Sequence, residues 1–231
     1  MIKLAIMGIE NTHSVCFASV LAPKNGKKIF DDIELIGVYG DPNEEGYDIG
    51  VTEMKKVSDC PIYSDDYNRF LDEADAIMVT TRHGGKHFEY AKKYIEKGIT
   101  VWVDKPFTCS VDELEEMVAL AKKSGCTLCG ASSLEYPETV LKLSEHVKAN
   151  KDDIMGGHVT APASLENAYG GFWFYTQHLI AMVTTVFGYD VKSVSAVKDK
   201  NGVHAIYNYD DFSVSGYFGT GYSVSIYSKG N

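Results

Sequence analysis

The sequence predicts an α/β protein in which a doubly wound parallel sheet is followed by a small α+β domain with a mainly antiparallel sheet. Over the first two thirds of the chain, short β-branched runs alternate with segments of helical period, which is typical of consecutive β-α-β units. After Gly130 this alternation gives way to strand-like segments joined by short turns. A length of 231 residues accommodates two domains only if one of them is small.

The first domain is predicted to span residues 1–130 and to contain six buried strands. Five of the strand segments are residues 4–9, 33–39, 76–80, 99–103 and 127–130. Helices are predicted at residues 14–21 and 65–72, in the segment that Gly98 ends, and after Ser110, which forms a capping box with Glu113. Parallel neighbours need crossover segments of this kind, so the pattern predicts a doubly wound sheet.

The second domain is predicted to span residues 131–231. A helix whose inner face carries Tyr136, Val140, Leu143 and Val147 precedes a strand near residues 155–160 and a second helix at about 173–187. Four strand-like segments follow at residues 191–197, 203–207, 212–218 and 222–227. Their Tyr and Phe residues fall on both faces, and about 100 residues are too few to cover both. The sequence therefore predicts a homodimer or higher oligomer that forms through this sheet.

Composition narrows the range of partners. The chain has 22 Lys+Arg against 32 Asp+Glu, a net charge of −10, and no basic run, whereas nucleic acids and anionic membranes attract cationic surfaces. No apolar stretch approaches the roughly 20 residues that span a bilayer. Five scattered cysteines, an odd number, suit reduced thiols in a cytoplasmic protein, and Cys126-Thr-Leu-Cys129 is interpreted as structural. A small-molecule substrate is the predicted partner.

The first strand-to-helix turn reads Gly8-Ile9-Glu10-Asn11-Thr12-His13. In a Rossmann-like sheet this turn binds a dinucleotide, because helix N–H groups and the helix dipole face the pyrophosphate there. Only the first glycine of the GxGxxG pattern is present, and Glu10 brings a carboxylate toward the phosphate position. Asn11 and Thr12 suit a turn or a helix cap. The segment is therefore either a cofactor-binding turn or a plain capping turn.

Asp41 follows the second strand, in Gly40-Asp41-Pro42-Asn43. A carboxylate at this point can accept hydrogen bonds from an adenosine ribose, and no Arg stands beside it to favour a 2′-phosphate. The alternative is an ordinary turn residue, and the sequence leaves both interpretations open.

Two later segments have a distinctive spacing. Thr80-Thr81-Arg82-His83-Gly84-Gly85-Lys86-His87-Phe88-Glu89 follows the fourth strand, and Val101-Trp102-Val103-Asp104-Lys105-Pro106 ends the fifth. Together they resemble the TPxxxHxExA and EKP motifs of the glucose-fructose oxidoreductase / inositol dehydrogenase (Gfo/Idh/MocA) family, and the likeness extends over most of residues 1–188. The resemblance implies an NAD(P)-dependent oxidoreductase acting on a sugar, polyol or related hydroxy compound. The absence of an Arg beside Asp41 favours NAD over NADP.

The resemblance and the fold together predict a set of cofactor-binding residues. These are Gly8, Glu10, Asn11, Thr12, His13, Asp41, Thr80, Thr81, Arg82, His87, Asp104, Lys105 and Pro106. His87 matches the family histidine that precedes the Glu, although a helix-capping role fits it equally well. His13 and His83 are candidates to join it, whereas His146, His158 and His204 have no ligand spacing, so no metal site is predicted.

Lys105 stands at the carboxyl end of a parallel strand, where ligands of such sheets bind. In the family, the equivalent Lys contacts the substrate hydroxyl and the nicotinamide ribose and assists proton movement, and the resemblance implies this catalytic role for Lys105. Pro106 can direct the ammonium into the cleft. Asp104 replaces the family Glu and shortens the side chain by one methylene. A structural salt bridge between Lys105 and Asp104 is the alternative.

His178 falls where the family helix carries a general acid/base histidine, which implies a second catalytic residue. Phe174, Thr176 and Ala181 replace the Asp, Gly and Asp of the family pattern, so the usual carboxylate partner is missing. A half-buried core histidine satisfied by one hydrogen bond also fits this pattern. The corresponding alternative function is a non-catalytic nucleotide- or sugar-binding protein that has kept the fold and lost turnover.

Overall fold

The computed structural model describes residues 1–230. The chain divides into two compact units, one formed by Met1–Gly130 and the other beginning at Ala131. Each unit has its own hydrophobic core and is described separately below.

The first unit is a six-stranded parallel sheet with the order β3-β2-β1-β4-β5-β6. Its strands are β1 (Ile2–Met7), β2 (Ile33–Tyr39), β3 (Ile62–Tyr63), β4 (Ala76–Val79), β5 (Thr100–Val103) and β6 (Leu128–Gly130). Its helices are α1 (Thr12–Leu21), α2 (Tyr47–Val57), α3 (His87–Glu96) and α4 (Val111–Ser124). Every strand pairing in this sheet is parallel, so the predicted doubly wound sheet is confirmed.

Helices cover both faces of this sheet, which is why its central strands are apolar on both sides. On one face Met7, Val79 and Tyr94 belong to a buried cluster. On the other, Ile6 packs with Ala18 and Met54. The strand order places β1 between β2 and β4, so the segments that follow these three strands meet at one edge of the sheet.

The prediction of a helix at residues 65–72 is wrong. This segment forms successive turns in which the Asp66 carboxylate accepts the Asn68 N–H at 2.8 Å, because Asp side chains compete with the helix for backbone N–H groups. The helix α2 was not predicted. It begins after Gly46, whose φ is +92°, and includes Gly50, a weak helix former. A Cβ on Gly50 would lie 2.0 Å from the Ile9 carbonyl oxygen, so tertiary packing selects this helix.

The second unit contains a five-stranded sheet with the order β11-β7-β10-β9-β8. Its strands are β7 (Ile154–Ala161), β8 (Ser193–Lys198), β9 (Val203–Asn208), β10 (Ser213–Phe218) and β11 (Ser223–Ser228), and its helices are α5 (Glu138–Ala149) and α6 (Trp173–Phe187). The β7–β10 pairing is parallel and the other three are antiparallel. The predicted mainly antiparallel sheet is confirmed.

Helix α6 packs on one face of this sheet, where its Leu179 and Val183 join Val159, Tyr207 and Val214 in a buried cluster. The opposite face carries small polar side chains, since alternate residues of each strand point away from the helix. These include Ser193, Ser195, Ser213, Ser215, Ser223 and Ser225. Strand β8 is exposed along its whole length. We call the serine-rich side the open face.

Among the helices in residues 1–230, none is both long enough and apolar enough to cross a lipid bilayer. All five cysteines are free. The Cys126 thiol is buried and lies 2.9 Å from the Ile99 carbonyl oxygen, a packing role within the sheet.

Candidate active site

The β1–α1 turn is held against the end of β4. Gly8 has a φ of +105°, and a Cβ at this position would lie 2.4 Å from the Thr81 amide nitrogen. Only glycine tolerates both the dihedral angle and the close approach of the two backbones. The Thr80 hydroxyl donates to the Gly8 carbonyl at 2.9 Å and lies 3.1 Å from that of Met7, so Thr80 joins the ends of β1 and β4.

Asn11 is the N-cap of α1. Its side-chain oxygen accepts the His13 N–H at 2.7 Å, with Ser14 N at 3.4 Å, and its amide group donates to the Thr80 carbonyl. Thr12 is the first residue of the helix. The capping function considered for this turn is therefore present, and it does not depend on the missing glycines.

The Glu10 carboxylate points toward β4 and is almost fully buried, with 3% of the residue exposed. It accepts the backbone N–H of Arg82 at 2.7 Å. In return, the Arg82 guanidinium donates to the Glu10 carbonyl oxygen. This reciprocal pair satisfies the carboxylate inside the protein and places a cationic group at the turn.

Asp41 has the turn role considered for it. One of its carboxylate oxygens accepts the Asn43 N–H and the Asn43 side-chain amide, both at 2.9 Å. In the same loop, the Glu44 carboxylate forms an ion pair with Lys86. The segments after β2 and β4 are thus joined by opposite charges.

His87 begins α3 and is fully buried. Its Nε2 lies 2.8 Å from the Thr81 carbonyl oxygen, and its Nδ1 lies 3.3 Å from that of Phe107. Burial lowers the pKa of His87, although the surrounding carbonyl groups and Asp104 oppose this shift. A neutral ring donates only one N–H, and the shorter contact assigns it to Thr81. His87 thereby connects the segment after β4 to the segment after β5.

Asp104 and Lys105 follow β5. The Asp104 carboxylate contacts His13 Nδ1 and is nearly buried, whereas 40% of the His13 side chain is exposed. Burial lowers the pKa of the Lys105 ammonium, and the nearby charge of Asp104 opposes the shift. The Lys105–Pro106 peptide bond is cis, and a Cβ on Gly84 would lie 2.5 Å from Pro106 Cγ, so the two loops pack closely.

Thr81 supplies the clearest sign of a ligand at this edge of the sheet. Its hydroxyl oxygen is buried and has no hydrogen-bond partner within residues 1–230, although buried polar groups in folded proteins are nearly always paired. The Thr81 backbone nitrogen lies beside Gly8, and the Thr81 carbonyl oxygen contacts the His87 ring. A bound dinucleotide has hydroxyl and phosphate oxygens that can complete this hydrogen bonding. Since the Glu10 carboxylate is already satisfied, the residues present fit such a cofactor.

His178 lies in α6 of the second unit and is 6% exposed. Its Nδ1 is 2.7 Å from Ser132 Oγ, and the rings of Tyr175 and Tyr222 flank it with centroid separations of 5.8 and 6.0 Å. One hydrogen-bond partner of the His178 ring is thus a serine hydroxyl and not the carboxylate of the family pattern. The Ser132-Ser-Leu-Glu135 spacing, which forms a capping box, is the signal in the sequence that marks this segment as ordered.

The remaining histidines have local contacts. His83 Nδ1 accepts the Gly85 N–H at 3.0 Å, His158 contacts Ser215 Oγ at 2.7 Å, and His204 stacks on Tyr217. Within residues 1–230, no group of three or more His, Cys, Asp or Glu side chains is arranged to hold a metal ion.

The parallel sheet, the glycine turn and the polar groups at its edge define a Rossmann-like dinucleotide-binding fold. Residues 2–131 match the model of the Gfo/Idh/MocA oxidoreductase family, which has an NAD-binding Rossmann fold. Because the match extends over more than half of the chain, the protein belongs to this family, and the resemblance found in its sequence is confirmed.

Individual relatives share parts of the chain. The uncharacterized oxidoreductase YhhX of Escherichia coli is 32% identical over 103 residues, which cover 42% of this chain and 30% of YhhX. The putative oxidoreductase yvaA of Bacillus subtilis aligns with a TM-score of 0.76 at 19% identity, covering 99% of this chain and 69% of yvaA.

GenD2 from gentamicin A biosynthesis, whose structure is in complex with NAD, aligns with a TM-score of 0.75 at 14% identity, covering 98% of this chain and 72% of GenD2. At these identities the structural likeness establishes the fold alone. The sequence match thus spans less than a third of YhhX.

Proposed function

We propose that this protein is an NAD-dependent oxidoreductase that transfers hydride between a nicotinamide cofactor and a sugar, polyol or related hydroxy compound. The observation that carries the proposal is Lys105: a partly buried ammonium with a lowered pKa, placed after β5 at the ligand-binding edge of a family Rossmann sheet. The NAD bound to GenD2, which has the same fold, supports the choice of cofactor class.

The cofactor-binding residues are drawn from the edge formed by β1, β4 and β5. Gly8 and the Asn11-capped start of α1 would adjoin the pyrophosphate, and the Thr81 hydroxyl would gain its missing partner. When bound, the nicotinamide supplies the position that accepts or returns a hydride. Lys105 and the Asp104–His13 pair then lie at the end of β5, where the family places the nicotinamide ribose.

The role proposed for Lys105 is to handle the proton that accompanies the hydride. Oxidation of an alcohol removes a hydride from carbon and a proton from oxygen, leaving a carbonyl group. Desolvation favours the neutral amine of Lys105, which can accept that proton, and the resulting ammonium stabilises an alkoxide in the reverse direction. His178, in the second unit, is the second proposed catalytic residue.

The acidic loop after β2 favours NAD over NADP. Asp41, Glu44 and Glu45 lie in this loop, where a 2′-phosphate would meet like charge. Lys86 is paired with Glu44, and Arg82 donates to the Glu10 carbonyl oxygen. Asp41 can accept a ribose hydroxyl beside its contacts with Asn43.

Cofactor titration and a Lys105→Met variant test this function. NADH at 100 times its Kd should stabilise the protein by about 2.7 kcal/mol, which thermal unfolding detects. On a panel of polyols and sugars, Lys105→Met should reduce kcat by roughly a thousandfold, the middle of the range for proton-transfer groups. Lys122→Met, at an exposed position of α4, is the control and should keep its activity. Absence of any NADH or NADPH binding would refute the proposal.

A non-catalytic binding protein is the second candidate. It is favoured by Phe174, which stands where the family pattern has an acid. Binding of NADH without turnover on the whole panel, in the wild type as well as in Lys105→Met, would select this candidate.

We also propose a homo-oligomer that forms through the open face of the second unit, with a small molecule as the other partner. Ile206 is an apolar residue of that face and is 40% exposed. Light scattering should give at least a dimer at micromolar concentration, and Ile206→Glu should convert it to a monomer. Val118→Glu, at an α4 position of similar exposure (39%), should leave the mass unchanged. A monomeric wild type would exclude this assembly.

A further inference from the structure

The hydroxyl group of Ser132 is buried and has few contacts. The residue has no exposed surface. Its Oγ contacts two groups within residues 1–230: the Leu134 N–H at 3.2 Å and His178 Nδ1 at 2.7 Å. Its backbone N–H donates to the Glu135 carboxylate at 3.0 Å, which fixes the backbone of Ser132 in a capping box.

These contacts determine the direction of the Ser132–His178 hydrogen bond. The Leu134 N–H is a donor, so it occupies a lone pair of Oγ and leaves the hydroxyl proton without an acceptor there. A hydroxyl with no exposed surface needs a hydrogen-bond partner for its proton. His178 Nδ1 is the one acceptor at hydrogen-bond distance, and an unsatisfied buried hydroxyl would cost the full desolvation of that group. The hydroxyl therefore donates to Nδ1.

A neutral imidazole that accepts at Nδ1 carries its proton at Nε2. We propose that Ser132 is the positioning residue of His178: it fixes the tautomer with the proton on Nε2 and makes His178 a neutral hydrogen-bond donor to the substrate oxygen. This inference rests on the proposed function. It narrows the acid/base role implied by the family likeness, because an Nε2 that already carries a proton stabilises charge on a substrate oxygen but does not take a proton from it.

The serine thus replaces the missing carboxylate and reverses the polarity of the contact. An Asp at this place in space would accept Nδ1–H and leave Nε2 free to act as a base. A hydroxyl with its proton committed to Nδ1 does the opposite. The phenol rings of Tyr175 and Tyr222 flank the imidazole, and burial raises the pKa of Tyr222. A neutral phenol here adds no charge that would draw the proton to Nδ1.

The substrate class follows from this donor. A neutral N–H stabilises an oxygen that becomes negative as the reaction proceeds, which is the carbonyl or alkoxide oxygen of a secondary alcohol and its ketone. We therefore expect a substrate with a CH–OH/C=O centre rather than a carboxylate at the imidazole.

Nitrogen NMR of protein with ¹⁵N-labelled histidine tests the tautomer without any requirement for turnover. The His178 signals are assigned by their loss in His178→Gln. In the wild type at pH 7.5, Nδ1 should show the shift of an unprotonated ring nitrogen and Nε2 that of a protonated one. Detection of Nδ1–H as the main form would overturn the proposal.

Three substitutions at Ser132 separate positioning from simple packing. Ser132→Thr retains the hydroxyl and should keep the wild-type tautomer. Ser132→Ala removes the donor and should give a mixture of tautomers with about a tenfold lower kcat, the effect of one hydrogen bond. Ser132→Asp keeps the cap on Leu134 and supplies a carboxylate acceptor, so it should move the proton to Nδ1.

The pattern of outcomes distinguishes this inference from the proposed function. A His178 tautomer that is identical in the wild type, Ser132→Ala and Ser132→Asp would refute control by Ser132, whatever the activity. Absence of cofactor binding with the predicted tautomer pattern intact would refute the oxidoreductase and leave the pairing established. A circular dichroism spectrum equal to that of the wild type identifies the variants that are folded and therefore informative.

Discussion

The two units of this protein hold their candidate functional residues in different ways. In the first unit, backbone groups from the ends of β1, β4 and β5 fix the side chains: Gly8 touches Thr81, and His87 contacts the carbonyl oxygens of Thr81 and Phe107. In the second unit, the contact of His178 with Ser132 joins two side chains, Oγ to Nδ1. The sheet there is covered on one face only, and its other face is rich in serine.

This difference shows where the chain can change its chemistry. A site built from backbone contacts between strand ends tolerates few substitutions, since each one disturbs several elements at once. A site that depends on a pair of side chains can exchange one partner, as the serine beside His178 illustrates, while the supporting helix and sheet stay in place. Four measurements test this difference between the two units.

The largest effect is expected at Gly8. Gly8→Ala introduces a Cβ that would lie 2.4 Å from the Thr81 nitrogen at a φ of +105°, and backbone strain together with overpacking should cost about 3 kcal/mol or more. Gly26→Ala is the matched control. Gly26 has a φ of +113°, and a Cβ there would have nothing within 4 Å, so this substitution introduces backbone strain without overpacking. Urea unfolding compares the two. Equal losses would mean that the contact between β1 and β4 is loose.

The next effect concerns cofactor affinity. Arg82→Met removes the guanidinium that donates to the Glu10 carbonyl oxygen at the β1–α1 turn, and the Kd for NADH should rise about tenfold, which is the loss of one charge-assisted contact. Arg69→Met, whose guanidinium stacks on Tyr63, should leave the Kd unchanged. Fluorescence titration at two salt concentrations measures both variants. An unaltered Kd in Arg82→Met would place the phosphates elsewhere.

His87 should make stability depend on pH. Its pKa in the folded protein is lowered by burial, so below about pH 6.5 the unfolded chain binds more protons and the folded state loses stability as the pH falls. The slope from this group is at most about 1.4 kcal/mol per pH unit. His87→Gln should flatten the curve between pH 7.5 and 5.5, whereas His146→Gln, at an exposed position, should not. Parallel curves for wild type and His87→Gln would show that His87 titrates normally.

The smallest effect compares one hydroxyl in each unit. Thr80→Val removes the buried group that bonds the Gly8 carbonyl, and the free energy of unfolding should fall by about 1 kcal/mol. Ser195→Ala, at an exposed position of the open face, should change it by less than about 0.5 kcal/mol. Thermal unfolding of dilute protein measures both. A larger loss at Ser195 would reverse the contrast between the units.

Much of the fold was predictable, and the exceptions have physical causes. The alternation of buried strands and amphipathic helices indicated the parallel sheet, and the hairpin turns indicated the second one. Residues 65–72 resemble a helix in composition, yet Asp66 diverts a backbone N–H. Helix α2 contains Gly50, a weak helix former, and the close approach of Gly50 to Ile9 is a contact between segments far apart in sequence.

The candidate site likewise has features that were predictable from the sequence and features that were not. Lys105 and His178 were found through motif spacing, which is a local property of the chain. The sequence alone thus determined the family, the two-part organisation and the residue types at the ends of the strands, because periodicity and spacing are written along the chain. Only the tertiary structure decided their partners: Glu10 with Arg82, His13 with Asp104, and Ser132 with His178. Those pairs lie 46 to 91 residues apart in sequence, so no local pattern encodes them, and they form only when packing brings separate elements together.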